Sequence, residues 1–194
     1  MIKAEYIKPL IDRIEYLLQE KGQVIVAIDG QAASGKTTAA EYLGKYFEGN
    51  VIHMDDFFLP FSLRTEERME QPAGNIHFER LTEQVCEPLK AGCKFEYIPF
   101  DCSTGGFKES MFMEPKQVTI FEGAYCTYPG KISYDIGVFF KCSEAVQYQR
   151  VLKRNGPEKL EAFKSRFIPM ENKYFAAFQI PESAELLFDT SDLF

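Results

Sequence analysis

The sequence predicts an α/β domain in which helices cover both faces of a mainly parallel sheet. The reason is that apolar, β-branched runs such as residues 24–28 alternate along the chain with segments of helical periodicity, and such runs suit strands buried on both faces. The length of 194 residues fits a single domain that needs no disulfide or metal to fold. In parallel sheets ligands bind beyond the carboxyl ends of the strands, so we expect functional residues directly after each strand.

The order of the predicted elements follows from hydrophobic periodicity and from the positions of Gly and Pro. Residues 2–21 have apolar side chains at helical spacing, and Gly22 is placed to end that helix. Residues 58–75 contain Pro60, Pro72 and several charged side chains, which predicts a long functional loop. The other predicted elements are strands at 24–28, 50–54, 95–100, 117–121, 136–140 and 185–188, and helices at 36–47, 76–89, 143–153 and within 157–178.

The composition excludes several classes of protein. With 22 basic and 29 acidic side chains the net charge is −7, which argues against a protein that coats nucleic acid. No apolar run approaches the ~20 residues that cross a bilayer, and residues 1–5 lack the features of a signal peptide. We therefore expect a cytoplasmic protein without nucleic-acid or membrane partners. Five cysteines without a C-x-x-C pair predict reduced thiols, and two histidines in separate segments do not predict a zinc site.

Residues 30–37, Gly-Gln-Ala-Ala-Ser-Gly-Lys-Thr, match the G-x-x-x-x-G-K-[ST] pattern of a phosphate-binding loop. The match lies between the strand at 24–28 and the helix at 36–47, which is the context that the pattern requires. Its glycines let the backbone curl so that N–H groups face phosphate oxygens, and the helix start adds a positive dipole end. We expect Lys36 to reach the β- and γ-phosphates and Thr37 to bind Mg²⁺. The residues expected to bind ATP or GTP are Gly30, Ala32, Ala33, Ser34, Gly35, Lys36, Thr37 and Thr38.

Acidic side chains follow two of the predicted strands. Asp55 and Asp56 come directly after the strand at 50–54, and Glu122 follows the strand at 117–121. An acid after a buried strand is typical of a Walker B group, which holds Mg²⁺ directly or through water. A second acid would deprotonate an acceptor hydroxyl, and the sequence leaves open whether Asp55 or Asp56 is that base. The alternative is that each of these acids caps a helix or simply lies in solvent at the end of a strand. The predicted metal ligands are Thr37, Asp55 and Glu122.

With these residues the chain resembles the uridine kinase family of P-loop kinases, which includes phosphoribulokinase-like and pantothenate-kinase-like enzymes. The resemblance covers residues 23–190 and includes residues 55–58, where an aspartate precedes aromatic residues. It also includes Glu122 with the following glycine at a strand end, and residues 98–101, which are similar to a substrate-covering hairpin. The resemblance implies the three-layer P-loop NTPase fold with a lid segment, and it implies that Asp55 is the general base.

The same resemblance divides the chain into two parts. Residues 1–22 are an N-terminal helical extension, and residues 23–194 form the kinase domain. Within that domain the acceptor-site region spans residues 57–107 and the lid spans about residues 148–170. The apolar face at residues 7–18 is compatible with packing on the sheet or with forming a homo-oligomer.

Two arginines are the candidates for a catalytic lid. Arg150 falls where the family begins its arginine-bearing lid, and Arg154 lies four residues later, on the same helix face. Phosphoryl transfer spreads negative charge over three oxygens, which closing cations stabilise. The alternative is an ordinary solvated charged face. The predicted catalytic residues are Lys36, Asp55, Arg150 and Arg154.

The predicted acceptor site departs from the uridine kinase pattern. Residues 70–72 read Glu-Gln-Pro where uridine kinases typically have Asp-His-Pro, residues 103–106 replace an expected histidine, and Phe100 lacks the usual tyrosine hydroxyl. These departures fall on base and ribose recognition and leave the triphosphate residues intact. The predicted substrate-binding residues are Asp55, Phe58, Arg64, Glu70, Tyr97, Asp101 and Glu122.

The motifs support three functional hypotheses. The first is a kinase that moves the γ-phosphoryl group of ATP or GTP to a hydroxyl of a small metabolite, with a nucleoside as the acceptor that the resemblance favours. The second keeps this chemistry with a sugar phosphate or a pantothenate-like alcohol as acceptor. The third is a nucleotide-hydrolysing switch, which would require an N-K-x-D motif, and residues 172–175, Asn-Lys-Tyr-Phe, fail at the last position.

Overall fold

The computed structural model describes residues 5–193, and its elements alternate as the sequence predicts. The strands are β1 (Val24–Gly30), β2 (Asn50–His53), β3 (Phe95–Tyr97), β4 (Phe100–Asp101), β5 (Gly106–Phe107), β6 (Met111–Met113), β7 (Val118–Glu122), β8 (Ile136–Lys141) and β9 (Leu186–Asp189). The helices are α1 (Lys8–Lys21), α2 (Lys36–Tyr46), α3 (Glu66–Glu70), α4 (Phe78–Leu81), α5 (Glu87–Lys90), α6 (Glu144–Asn155), α7 (Pro157–Ala162), α8 (Ile168–Phe178) and α9 (Ile180–Ser183).

Irregular helical turns connect some of these elements. A π-helical turn, Thr82–Cys86, joins α4 to α5, and a second, Phe163–Phe167, joins α7 to α8. Short 3₁₀ turns occupy Met54–Phe57, directly after β2, and Phe61–Leu63. The first of these turns places the two neighbouring aspartates at the carboxyl end of the sheet.

The central sheet has five parallel strands in the order β2-β7-β1-β8-β9. Strand β1 lies in the middle, with Val26 opposite Ile120 of β7 and Ile136 of β8. The register of β2 with β7 places His53 opposite Glu122. The carboxyl ends of β1, β2 and β7 therefore meet at one edge of the sheet, as expected for a ligand site in this fold class.

Helices cover both faces of the sheet and bury two apolar clusters. One cluster joins α1 and α2 to the alternate side chains Val24, Val26 and Ile28 of β1. The other joins α4, α5 and α8 to the opposite face, which includes Ala27. Successive strand side chains point to opposite faces, so the continuous apolar run in β1 serves both clusters. These layers confirm the predicted three-layer α/β arrangement.

Residues 95–113 form a separate antiparallel hairpin. Strand β3 pairs with β6, and β4 pairs with β5 nearer the tip. The sequence predicts one strand over residues 95–100, but the structure interrupts it at Ile98 and Pro99. Proline has no N–H for a ladder bond, and the Pro99 carbonyl instead accepts from the Lys108 backbone.

Other predicted boundaries shift by a few residues. The predicted first helix begins at Lys8 and ends, as expected, with Gly22 in the left-handed conformation; residues 1–4 lie outside the described part of the chain. The predicted loop at 58–75 contains α3, which Thr65 caps through its side chain. Within residues 5–193, no helix is both long enough and apolar enough to cross a membrane.

Candidate functional site

The loop between β1 and α2, residues 30–37, adopts a conformation that depends on its small residues. Gly30 has a φ of 137°, and a Cβ there would lie 2.0 Å from the carbonyl oxygen of Phe140. Gly35 has a φ of 98° and open space around it, and Ala33 also has a positive φ of 57°. Only glycine fits position 30 without displacing β8, so the first glycine of the motif sets the close approach of loop and sheet.

Five consecutive carbonyls of this loop accept hydrogen bonds from side chains. The Lys36 ammonium donates to the Gly30 and Gln31 carbonyls, at 2.8 Å each. The remaining donors are Gln147 to Ala32 at 3.0 Å, Arg150 to Ala33 at 3.2 Å and Thr190 to Ser34 at 2.8 Å. The N–H groups of Gly30, Gln31, Ala32 and Ser34 are also hydrogen-bonded within the fold, so a ligand would meet the N–H groups at the start of α2.

Helix α2 begins at Lys36, and within residues 5–193 no side chain caps its N-terminus. The first N–H groups of a helix lack intrahelical partners, and they form the positive end of the helix dipole. The Ser34 hydroxyl is also buried and has no hydrogen-bond partner in the described chain. Curled backbone, uncapped amides and an adjacent lysine together fit a bound polyphosphate.

A buried carboxylate holds the other side of the Ala32 peptide. Glu171 of α8 accepts a hydrogen bond from the Ala32 N–H at 2.9 Å. Since Gln147 of α6 donates to the Ala32 carbonyl, both polar groups of this loop residue are hydrogen-bonded to side chains of helices. Burial raises the pKa of Glu171 to about 7, while the Lys36 charge and the Ala32 hydrogen bond lower it. This contact links α8 to the loop of residues 30–37.

Arg150 is placed differently from the lid arginine that the sequence predicts. Its guanidinium donates to the carbonyls of Ala33, Thr190 and Leu193 and to the Thr190 hydroxyl. These contacts join α6 to the loop and to the chain that follows β9. Arg150 therefore supports the loop through Nη1 and Nη2, and the catalytic role expected for it stays a prediction.

The second lid candidate has a different environment. Arg154 is exposed near the end of α6, and its Nε donates to the neighbouring Asn155 side chain at 2.7 Å. The structure does not bring Arg154 together with Arg150 at one cation site. Its predicted role in closing over the phosphates stays a prediction.

Thr37 and Glu122 bring two oxygen-bearing groups together beside the loop. The Thr37 hydroxyl donates to both carboxylate oxygens of Glu122, at 3.2 and 3.1 Å, and Glu122 is buried. His53 Nδ1 lies 2.6 Å from Glu122 Oε1, and this hydrogen bond raises the His53 pKa. A hydroxyl and a carboxylate are the hard oxygen ligands that Mg²⁺ prefers.

The residues present fit a Mg²⁺ ion whose ligands come partly from the protein and partly from a bound phosphate. Among residues 5–193, no group of three or more His, Cys, Asp or Glu side chains is arranged to hold a metal by itself. Mg²⁺ commonly takes one or two protein oxygens and completes its shell with substrate phosphates and water. Thr37 and Glu122, next to an anion-binding loop, match that donor set.

The structure separates the environments of the two neighbouring aspartates. The Asp55 side chain is exposed at the carboxyl end of the sheet, yet desolvation by surrounding groups and the Glu122 charge raise its pKa, against the opposing charge of Lys36. Asp56 instead accepts a hydrogen bond from the Tyr97 hydroxyl at 3.2 Å, and burial is the main cause of its raised pKa. Asp55 is thus the aspartate on the Lys36 and Glu122 side.

Three other residues that the sequence assigns to the acceptor site have different environments. Tyr97 is fully buried with its ring against Phe57, so its hydroxyl and not its ring belongs to the site. Phe58 is partly buried and forms an isolated backbone bridge with Ile76. Arg64 lies over the Phe61 ring and donates to the Leu59 carbonyl.

Two predicted acceptor residues have local structural roles. Asp101 accepts from the Ser103 backbone and hydroxyl at the hairpin tip, which lowers its pKa. Glu70 is exposed at the end of α3, where its carbonyl accepts from Lys173 at 2.5 Å. Neither carboxylate has a structural contact with Asp55 or with the loop.

Several residues of the site were not predicted from the sequence. Asp29, at the end of β1, is fully buried and accepts hydrogen bonds from residues 30, 125, 127 and 174. Its place after a buried strand was a signal equal to that of Glu122. Glu171, Gln147 and Arg80 lie within helices and had no such signal.

Arg80 of α4 adjoins the turn that contains Asp55 and Asp56. Its side chain is 8% exposed, and its Nη2 donates to the Asp56 carbonyl. The guanidinium lies between two rings, 5.0 Å from the centre of Phe57 and 5.1 Å from that of Phe107. It thus bridges the 3₁₀ turn after β2 and the hairpin.

Comparisons with known proteins establish the fold. No family model matches the sequence, and no curated protein matches it. The structure is similar to a possible uridine kinase from Bacillus stearothermophilus, with a TM-score of 0.66 and 23% identity over 93% of this chain and 100% of that one. It is also similar to a "putative fructose transport system kinase" from a Silicibacter species, with a TM-score of 0.70 and 19% identity over 91% of this chain and 97% of that one.

At these identities the likeness concerns architecture. The five-stranded parallel sheet with helices on both faces is the P-loop NTPase α/β fold, which confirms the fold predicted from the sequence. Both neighbours are named as kinases, which agrees with the kinase family that the sequence resembles.

Proposed function

We propose that this protein is a kinase that transfers the γ-phosphoryl group of ATP or GTP to a hydroxyl of a small metabolite. The observation that supports it most is the loop of residues 30–37, whose carbonyls are occupied by side chains while α2 begins uncapped. A loop of this kind binds a polyphosphate, and Asp55 lies beside it as a base. The named kinase neighbours support the same reaction class.

The donor would be held by the loop and by Lys36. The Lys36 ammonium now donates to the Gly30 and Gln31 carbonyls, and phosphate oxygens would replace those acceptors. Thr37 and Glu122 would hold Mg²⁺, which when bound neutralises negative charge on the β- and γ-phosphates. His53 restrains the Glu122 carboxylate through its 2.6 Å contact.

Transfer requires a base at the acceptor hydroxyl, and we assign that role to Asp55. Its carboxylate would take the hydroxyl proton while the hydroxyl oxygen bonds to the γ-phosphorus and the bond to the β–γ bridging oxygen breaks. A raised pKa brings a carboxylate closer to neutral pH, where a base works best. Because phosphoryl transfer has a loose transition state, placement of the reacting groups should matter more than base strength.

The acceptor site is the space bounded by the Asp55 turn, residues 58–64 and the hairpin of residues 95–113. The sequence resemblance favours a nucleoside as acceptor, and the possible uridine kinase among the neighbours agrees with that choice. A sugar phosphate or a pantothenate-like alcohol is the second candidate class. A nucleoside is neutral, whereas a sugar phosphate or a pantothenate-like alcohol is anionic. A cationic side chain at the acceptor site would therefore favour the second class.

The test is transfer of label from γ-labelled ATP in the presence of nucleosides, sugar phosphates and vitamins, each with Mg²⁺. Label recovered on one acceptor class supports the proposal. Label that appears only as inorganic phosphate, with every acceptor inert, contradicts it and favours a nucleotide-hydrolysing switch. The Lys36→Ala variant is the background control, because a contaminating kinase would be unaffected by it.

A further inference from the structure

We infer that the acceptor has an anionic group, a phosphate monoester or a carboxylate, and that Arg80 binds it. The inference rests on the proposed kinase function, because it concerns the acceptor of the same site. It favours the second candidate class of acceptor, a sugar phosphate or a pantothenate-like alcohol, over the neutral nucleoside, and Arg80 would be the residue that selects the charged alcohol.

The starting observation is that Arg80 is a buried cation without a carboxylate partner. Its side chain is 8% exposed, and its Nε and Nη1 have neither solvent contact nor a hydrogen-bond partner in the described chain. None of the ion pairs formed among residues 5–193 includes Arg80. The one hydrogen bond that its side chain makes within residues 5–193 is the donation from Nη2 to the Asp56 carbonyl.

A buried guanidinium without a carboxylate partner is energetically unfavourable. Arginine stays protonated in proteins, and an uncompensated buried charge destabilises a fold. Buried donors without an acceptor are rare in native structures and frequently mark a ligand or a catalytic role. An anion that accepted from Nε or Nη1 would compensate both the charge and the missing hydrogen bonds.

The surroundings of Arg80 favour an anion from a ligand over one from the chain. The Asp56 charge acts on Arg80, but the Asp56 carboxylate lies beyond ion-pair distance and is hydrogen-bonded to Tyr97 at 3.2 Å. The guanidinium carbon lies 5.0 Å from the ring centre of Phe57 and 5.1 Å from that of Phe107, and neither ring offers an oxygen acceptor to its N–H groups. In-plane N–H donors fit the oxygens of a phosphate or a carboxylate.

The location also suits an acceptor. Arg80 is bonded to the backbone of Asp56, the residue next to the proposed base Asp55. The Phe107 ring lies 5.1 Å from the guanidinium carbon and is 55% exposed. Because Nε and Nη1 have no solvent contact, an anion would reach them only if Phe107 moved, and Phe107 belongs to the hairpin, which is not paired with the central sheet. An acceptor could then place its anionic end on Arg80 and its hydroxyl near Asp55.

The binding test uses inorganic phosphate as probe and does not depend on transfer. Phosphate binding is measured by calorimetry for the Lys36→Ala protein, in which the donor loop is weakened, and for the same protein with Arg80→Met added. We expect Arg80→Met to weaken the remaining phosphate binding at least tenfold. Arg68→Met is the matched control, since Arg68 is paired with Glu79 away from the Asp55 turn. Phosphate binding that does not depend on Arg80 overturns the inference.

The kinetic test compares ribose, ribose 5-phosphate and ribonate, which share one skeleton, and includes uridine as a neutral nucleoside. We expect kcat/KM for an anionic acceptor to exceed that for ribose at least tenfold, and to fall toward the ribose value in Arg80→Met, mainly through KM. Arg80→Lys keeps the charge and should recover part of the loss, which also serves if Arg80→Met does not fold. Phosphate and carboxylate sources are separated by the two charged sugars.

The outcomes distinguish this inference from the proposed function. Transfer to uridine or ribose that is unaffected by Arg80→Met would leave a kinase and overturn the inference. Arg80-dependent phosphate binding without transfer to any acceptor would leave the anion site and contradict the kinase.

Discussion

The carboxylate of Glu171 accepts a hydrogen bond from the backbone N–H of Ala32 at 2.9 Å, and this contact joins α8 to the nucleotide loop. Gln147 of α6 donates to the carbonyl of the same residue at 3.0 Å. Both polar groups of one loop residue are thus held by α6 and α8, the helices on either side of α7 in the proposed lid. A change in either helix should therefore be felt at the donor site.

The buried state of Glu171 predicts a pH-dependent stability. Its pKa is raised from 4.5 to about 7, chiefly by burial, so the folded protein holds the proton more tightly than the unfolded chain. Ionisation of Glu171 therefore destabilises the fold progressively between about pH 4.5 and about pH 7. Glu171→Gln keeps an oxygen for Ala32 and cannot ionise. We expect it to exceed the wild type in stability at pH 8 by up to about 3 kcal/mol and to approach it near pH 4.5.

The measurement for Glu171 is denaturant unfolding of both proteins at several pH values. Glu158→Gln, at an exposed position of α7, is the control and should show no pH-dependent difference. A stability difference for Glu171→Gln that is constant with pH would contradict the expected titration.

Lys36→Ala should abolish most phosphoryl transfer. The Lys36 ammonium lies against the loop at 2.8 Å from the Gly30 and Gln31 carbonyls, and removal of a main electrostatic stabiliser lowers kcat by at least ~100-fold. Steady-state kinetics with saturating ATP and acceptor measure the loss. Lys45→Ala, at an exposed position of the same helix, should leave kcat within about twofold. Wild-type turnover in Lys36→Ala would remove the loop from the mechanism.

Asp55→Asn and Asp56→Asn should separate the base from its neighbour. Asp55 faces the charges of Lys36 and Glu122, so its variant should keep nucleotide affinity and lose transfer by ~10²- to 10⁴-fold. Asp56 is hydrogen-bonded to Tyr97, so its variant should change acceptor KM more than kcat. Nucleotide binding by calorimetry and transfer rates give both readouts. Equal loss of binding and transfer in Asp55→Asn would indicate a metal or folding role instead.

Arg150→Met and Arg154→Met should differ in kind. Removal of the Arg150 guanidinium leaves the carbonyls of Ala33, Thr190 and Leu193 without that donor, and we expect a loss of about 2–4 kcal/mol together with weaker ATP binding. Arg154 is exposed, so Arg154→Met should change stability by less than about 0.5 kcal/mol. Thermal unfolding and ATP titration decide the comparison. A lowered kcat with unchanged stability in Arg150→Met would support the lid role.

The parts of the fold that the sequence predicted are those with a strong local signal. The run at residues 24–28 and the glycine-lysine motif after it determine the central strand, the loop and the next helix with little help from the rest of the chain. The strand break at Pro99 has a weaker local signal, because pairing across the hairpin sets where β3 and β4 end.

The residues that the sequence did not predict depend on tertiary placement. A π turn at Phe163–Phe167 adds about one residue to the helical path and rotates the rest of the helix by roughly 100°, so regular periodicity does not show that Glu171 reaches the loop. The spacing of Arg150 from Arg154 suits a pair of lid cations. The actual acceptors of Arg150, on residues 33, 190 and 193, are distant in sequence and meet only in the fold.

The side-chain hydrogen bonds to the loop of residues 30–37 determine how much of that loop must reorder when a ligand binds. Gln147 and Arg150 of α6 and Thr190 after β9 fix three of its carbonyls, so that part of the loop is ordered before a ligand binds. Lys36, by contrast, would exchange its two carbonyl acceptors for phosphate oxygens. A polyanion would therefore meet a backbone that is already formed, and the main local rearrangement on binding would be that of one side chain.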